Sequence, residues 1–481
     1  MAETEEKKPE TKAEPPAERS ETTEHQVEIG GRRITYTATA ATTTLKADDG
    51  TARASVFTVS YVVAGKGTPS ERPITYAFNG RPGSSSIWLH LGVLGPRRIR
   101  LGELHTPQAP PYRLTDNAES ILDLTDLVFI DPVSTGWSRP VDKDQAKEFH
   151  GLKEDTEAVG DLIRLLTSRS GRWSSPKFLA GESYGTTRAA SLAGYLQERH
   201  GLYLNGIVLL SAILLFGTAR PARGNDLPYL LYLPSYAATA WYHGRLAKNF
   251  KSVDKLLTEV EEFALGDYAS VLLRGPRASG AEKASVRSRL AAFTGLSEDY
   301  LESADLRITP SRFFKELMRD RRRSVGRLDS RFLGIDPDAA GESNTYDPAY
   351  GMIQGAYTAA LNAYLRDDLK FDSDVLYEAL RGEAVRPWKW GDAGENQYVD
   401  VASTLAQAMS VNRSLRVFLG SGIYDLATPY LAAEWTFDHM RLDPEVVGNV
   451  VKKRYESGHM MYVHEPSIRR LKKDLQAFYN P

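Results

Sequence analysis

Short apolar runs, each closed by turn-forming residues, recur through the first half of the chain. In QVEIGGRRITYTATA two alternating stretches flank Gly30-Gly31, the pattern of a β-hairpin, and ASVFTVSYVV and PITYAFNG follow as further strands. DLVFIDP (126–132), PKFLAG (176–181) and NGIVLLSA (205–212) are continuously apolar, which predicts strands buried on both faces, as in a parallel sheet. Between them the apolar period becomes helical. From about Asp155 it places Val159, Leu162, Leu165 and Leu166 on one face, and after Ser183 it runs through Ala190, Leu192 and Leu196. Strand alternating with helix is the rhythm of an α/β sheet.

The pattern changes over 218–397. Helical segments such as LPYLLYLPSYAATAWYHGRLA, VDKLLTEVEEFAL and SVRSRLAAFTGL dominate, without a clear strand series, which predicts a mostly helical insertion. SLRVFLG and VVKKRYES then resume the sheet. SIRRLKKDLQAF closes the chain as a helix with Ile468, Leu471, Leu475 and Phe478 on one face. The expected organisation is a core of 26–217 and 398–481 carrying the insertion. Residues 1–25, rich in Glu, Lys, Pro and Thr, are expected to be a disordered tail.

A net charge of −2 over 481 residues makes no electrostatic case for nucleic acid or an anionic membrane as partner. The absence of cysteine removes disulfides, thiolate catalysis and cysteine-based metal sites. DPDAAGE (336–342) lacks the spaced ligands of a calcium loop, so no metal is expected, and no cofactor either. The N-terminus has no apolar core and no apolar stretch is long enough to span a bilayer. A cytoplasmic location is expected, or a secreted or periplasmic one where a signal peptide has been removed.

Gly181-Glu182-Ser183-Tyr184-Gly185 fits G-x-S-x-G. That pattern suits a sharp strand-to-helix turn, whose small residues let the backbone bend and expose the serine hydroxyl. The strand PKFLA leads in and a helical segment leads out. An acid and then a histidine must follow in that order. Asp425 in VFLGSGIYDLATP and His459 in ESGHMMY each come just after a predicted strand. His464 is a second choice, His439 lies within a helical stretch, and Asp425 could instead cap the next helix. The long gap between Ser183 and Asp425 holds the helical insertion, which would lie over the site as a cap.

FNGRPGSSSIWLHLGVLGP, DLVFIDPVSTGWSRP, AGESYGTTR, SGIYDLATP and SGHMMY together resemble the serine carboxypeptidases, specifically their bacterial-type members, from about Arg72 to Phe478. The resemblance implies an α/β-hydrolase fold with a helical insertion, and removal of residues from the C-termini of peptides or proteins. It implies Ser183, Asp425 and His459 as a catalytic triad and Tyr184 as an oxyanion-hole donor, with Asn79, Gly80 and Glu182 holding the substrate's terminal carboxylate. Two positions depart from the family pattern. Arg81 stands where a second glycine usually donates the other oxyanion N–H; at negative φ it still donates, at positive φ it is strained. Val93 stands where eukaryotic members tend to have a glutamate that pairs with the one before the serine. The Arg81 guanidinium is a candidate to replace that missing group.

An esterase or acyltransferase with the same triad, or a relative impaired by Arg81, are the alternatives. The basic run RDRRRSVGRLDSR (319–331) is expected to be a solvated or salt-bridged face of the insertion. Trp88, His90 and the tryptophans of RPWKWGD are candidates for either cleft lining or packing.

Overall fold

In the computed structural model, which describes residues 17–65, 69–102, 109–247, 250–382 and 385–480, the continuous apolar runs become the centre of one twisted sheet. Its strands are β1 (Ser20–Ile29), β2 (Arg32–Lys46), β3 (Ala52–Val63), β4 (Ile74–Phe78), β5 (Asp126–Ile130), β6 (Lys177–Glu182), β7 (Gly206–Leu210), β8 (Arg416–Gly422) and β9 (Val450–Tyr455). In space they run β1-β2-β3-β5-β4-β6-β7-β8-β9, and the two-residue strand Arg139–Pro140 pairs with β3. The first three pairings along that order are antiparallel and the remaining five parallel.

Alternation along each central strand explains why all of these residues are apolar. Phe178, Val208 and Phe418 belong to the core on one face, whereas Leu179, Ile207 and Val417 belong to the core on the other. Helices α1 (Leu152–Arg169), α2 (Tyr184–His200) and α7 (Ala402–Val411) cover the second face. The C-terminal helix α8 (Glu465–Tyr479) covers the first with Ile468, Leu471, Leu475 and Phe478. This is the expected α/β-hydrolase arrangement, a mostly parallel sheet between helical layers.

Within the inserted region, α3 (Leu227–Tyr242), α4 (Val253–Phe263) and α5 (Gly280–Thr294) close around a core of their own that includes Leu233, Val260 and Leu290. Helix α6 (Pro348–Ala363) behaves differently. Its Ile353, Tyr357 and Leu361 join the core of the sheet, where the Tyr357 ring lies 5.0 Å from Trp88. Trp88 and His90 are therefore packing residues. His90 stacks on Phe129 at 4.4 Å and bonds the Tyr61 hydroxyl at 2.5 Å, and burial pushes its pKa down to about 3.

Two features differ from the sequence reading. The part of the expected tail at 1–16 lies outside the described residues, but residues from Ser20 onward already form β1, paired from Ser20↔Ala41 to Ile29↔Arg32. An edge strand needs only backbone partners and one face of contact, so its polar side chains stay outside while Val27 and Ile29 reach the core. The insertion also contains a short antiparallel pair, Arg323–Val325 with Leu333–Ile335, too brief to leave a periodic signal. Among the described residues no helix is long and apolar enough to cross a membrane.

Candidate active site

Ser183 sits between the end of β6 and the start of α2 with φ 60° and ψ −128°, a conformation strained for any residue with a Cβ. The bend is possible because the chain on either side is bare. A Cβ on Gly181 would run into the Gly185 carbonyl, and one on Gly185 would come within 2.7 Å of the Phe78 carbonyl oxygen. The Ser183 amide donates to the Leu210 carbonyl at 3.0 Å, anchoring the turn to β7. Tyr184 opens α2, so its N–H has no partner one turn back within the helix, the usual state of a helix's first amides.

The loops after β8 and β9 bring Asp425 and His459 to the same edge. His459 Nδ1 and Asp425 Oδ2 are 2.7 Å apart, and the aspartate is fully buried. Every lone pair of that carboxylate is used. Oδ1 accepts the amides of Ala427 at 2.7 Å and Thr428 at 3.0 Å, and Oδ2 also accepts the Thr428 hydroxyl at 2.8 Å. Asp425 thus orders the following turn and faces the imidazole at once. The Ser211 hydroxyl donates to the His459 carbonyl at 2.7 Å, and Ser211 directly follows the residue that anchors Ser183. Burial works against the imidazolium. The Asp425 charge and hydrogen bond, with a contribution from Glu182, outweigh it and raise the His459 pKa above the ordinary value. The other two histidines stand apart. His439 stacks on Trp435 at 3.7 Å at the exposed end of an otherwise buried helix, and His464 bonds Ser467 at 2.8 Å.

Glu182, beside the serine, is 3% exposed. Its Oε1 accepts the Asn79 amide at 3.0 Å, while Asn79 Oδ1 accepts the Leu89 N–H at 2.9 Å, which fixes the amide's orientation. Glu182 Oε2 and the Tyr462 hydroxyl are both buried, and neither completes a hydrogen bond of good geometry. Burial pushes the Glu182 pKa up to about 7 against the opposing pull of His459 and Asn79. Val93 is buried in the apolar core, so no second acid faces Glu182 from that position.

Arg81 has φ +34°, the case in which a non-glycine residue is strained. Its side chain is exposed and runs beside Gly382, where a Cβ would meet its Nε at 3.3 Å. Its guanidinium has no carboxylate partner among the described residues.

The support under this loop carries no motif in the sequence. Arg188, 1% exposed on α2, donates to Asp155 at 2.7 Å and to the Asn79 carbonyl at 2.8 Å. An arginine one turn beyond Ser183, set among the small residues Gly185, Thr186, Thr187, Ala189 and Ala190, was the available signal. Trp388 and Trp390 of RPWKWGD pack edge-on against the Tyr184 ring at 5.4 and 6.1 Å.

A mostly parallel sheet with helices on both faces, a strained serine after one central strand and an Asp–His pair after two others place the protein among the α/β-hydrolases. Within that class, residues 54–220 match the family model of the serine carboxypeptidases, bearing out the resemblance read from the sequence. The matched stretch contains Asn79, Glu182 and Ser183. The fold is similar to that of Kex1(delta)p, a prohormone-processing carboxypeptidase from Saccharomyces cerevisiae. The TM-score is 0.55 at 16% identity, covering 92% of this chain and 91% of that one. The carboxylesterase CesB from Bacillus subtilis matches with a TM-score of 0.38 at 11% identity, over 95% and 91% of the two chains. No curated protein matches.

Proposed function

We propose that the protein is a serine carboxypeptidase, with Ser183 as nucleophile, His459 as general base and acid, and Asp425 as the group that orients the imidazole. The observation that carries this reading is the 2.7 Å Asp425–His459 bond at the sheet edge that also bears the strained Ser183. In the first step Ser183 Oγ attacks the carbonyl carbon of the last peptide bond while His459 takes the hydroxyl proton. The N–H of Tyr184 and that of Arg81 stabilise the oxyanion. The C–N bond then breaks, His459 gives its proton to the leaving amine, and an ester to Ser183 remains. Water, deprotonated by His459, attacks that ester, and the proton returns to Ser183.

What separates a carboxypeptidase from a general esterase is recognition of the free carboxylate. Asn79, Gly80 and Glu182 form that subsite in this reading. The Arg81 guanidinium, without a carboxylate partner among the described residues, takes over part of the binding that a glutamate at position 93 would give. A peptide with a free C-terminus, its C-terminal amide and a small p-nitrophenyl ester test it. Mass spectrometry should show loss of single residues from the free peptide. Hydrolysis of the ester alone would support the esterase or acyltransferase reading, and failure of a fluorophosphonate to label Ser183 would support the impaired one.

Arg81→Gly is expected to raise KM for the free peptide about ten- to a hundredfold, the worth of one charge-assisted hydrogen bond. Values for amide and ester should hardly move. The same variant relieves the positive φ, so its unfolding free energy should rise by about 1 kcal/mol. An equal effect on all three substrates would remove the guanidinium from the subsite.

Glu182 provides a pH signature. Below about 7 it is protonated and donates to a substrate carboxylate; above that it becomes an anion and repels it. kcat/KM for the free peptide should therefore fall as pH rises through about 7, while ester hydrolysis keeps rising as His459 loses its proton. Glu182→Gln, neutral throughout, should abolish the alkaline fall. Persistence of that limb in the variant would assign it to another group.

A further inference from the structure

The last residues of the basic run at 319–331 do not form a solvated face. Arg319 does pair with Glu316 at 2.7 Å near the surface, as expected. Residues 327–331, however, pass directly beneath the loops that carry Asp425 and His459. The Leu426 amide donates to the Arg327 carbonyl at 3.0 Å, and the Ser330 amide donates to the Tyr424 carbonyl at 3.0 Å, so Asp425 is held on both sides. The His459 amide donates to the Leu328 carbonyl at 2.6 Å, and the Gly458 amide to Asp329 Oδ2 at 3.0 Å. Arg331 completes the contact. It donates to Asp329 at 2.9 and 2.7 Å and to the Glu456 carbonyl at 2.9 Å, and both members of the pair are at most 4% exposed. The fit leaves no room for a side chain at position 458, where a Cβ would come within 2.6 Å of the Asp329 Cα.

The segment comes from the insertion, whereas both loops belong to the sheet, so nothing in the sheet itself requires these contacts. Asp347 fixes the segment from its other side, accepting the amides of Arg327 at 3.0 Å and Leu328 at 3.1 Å.

We infer that residues 327–331 are a strap that sets the spacing of Asp425 and His459, with Asp329 and Arg331 as positioning residues for the imidazole. This rests on the triad reading above. Loosening the strap leaves the substrate subsite at Asn79 and Glu182 untouched but lets His459 drift, and misplacement of a catalytic group by about 1 Å can cost on the order of 10²-fold.

The test compares the full-length protein with the charge-neutral double variant Asp329→Asn/Arg331→Gln. A matched control removes another buried pair of the insertion, Lys315 with Asp336, 2.6 Å apart, as Lys315→Met/Asp336→Leu. Fluorophosphonate labelling of Ser183 and p-nitrophenyl acetate hydrolysis are measured where near-ultraviolet circular dichroism shows a native fold. The strap variant should label about ten- to a hundredfold more slowly and lose kcat with KM within about twofold, while the control stays near wild type. Should the double variant not fold, Arg331→Lys keeps the charge balance but cannot reach Asp329 and Glu456 together, and labelling should still slow at least about threefold. Strap variants that label like wild type, or a control that slows equally, overturn the inference. Absence of labelling in the wild-type protein overturns the triad reading itself.

Discussion

Ser183→Ala should lower peptide turnover by about 10⁶-fold and leave the fold intact. The size follows from the proposed mechanism, in which Ser183 Oγ is the one atom that forms the acyl bond. What residual rate remains comes from the oxyanion donors and from substrate binding, which the change does not touch. The fold should survive because the serine side chain makes no capping bond at the start of α2 and alanine meets the same backbone strain. Single-turnover kinetics with a thermal melt of each protein check both halves. A variant that retained more than about a hundredth of wild-type activity would show that another residue is the nucleophile.

Asp425→Asn should cost about 10⁴-fold in turnover. An asparagine of nearly identical shape can keep accepting the Ala427 and Thr428 amides through one oxygen. Its NH₂ would then face His459 Nδ1, making Nδ1 an acceptor and leaving the proton on Nε2, the nitrogen that must receive the Ser183 proton. The wrong tautomer is thus held in place by the same bonds that hold the right one in the native protein. Loss of the carboxylate charge also removes the main influence that raises the His459 pKa, so the acid limb of ester hydrolysis should move to lower pH. A loss below about tenfold would indicate that Asp425 acts chiefly as the cap of the turn at Ala427 and Thr428.

The sheet was legible because its central strands are apolar on both faces, so Phe178–Leu179 or Val417–Phe418 can be read without knowing which side each residue faces. That Ser183, Asp425 and His459 lie at one edge was legible because parallel strands all end there, where chemistry-bearing loops must gather. Contacts that cross between distant segments leave no such trace. Arg188 looked like any helix arginine until Asp155 and Asn79 surrounded it. Arg331 sat in a run whose charge suggested solvent, yet its Asp329 partner lay two residues away and its carbonyl partner, Glu456, in a distant loop. Ser20–His25 read as tail because edge-strand pairing leaves almost no apolar trace.

The division of the inserted region into two separately packed parts has a consequence for sequence drift. Leu233, Val260 and Leu290 between α3 and α5 face one another, whereas Leu231, Ala238 and Leu257 of α3 and α4 pack on Ile423, Tyr424 and Tyr430. Only the inward positions can therefore vary without disturbing the segment around Asp425. Helix α6 has no such latitude, because Tyr357 and Leu361 are shared with the barrier of aromatic residues around Trp88. Sequence variation should accumulate at the inward positions of the first part and be purged from the residues of α6 that the sheet shares.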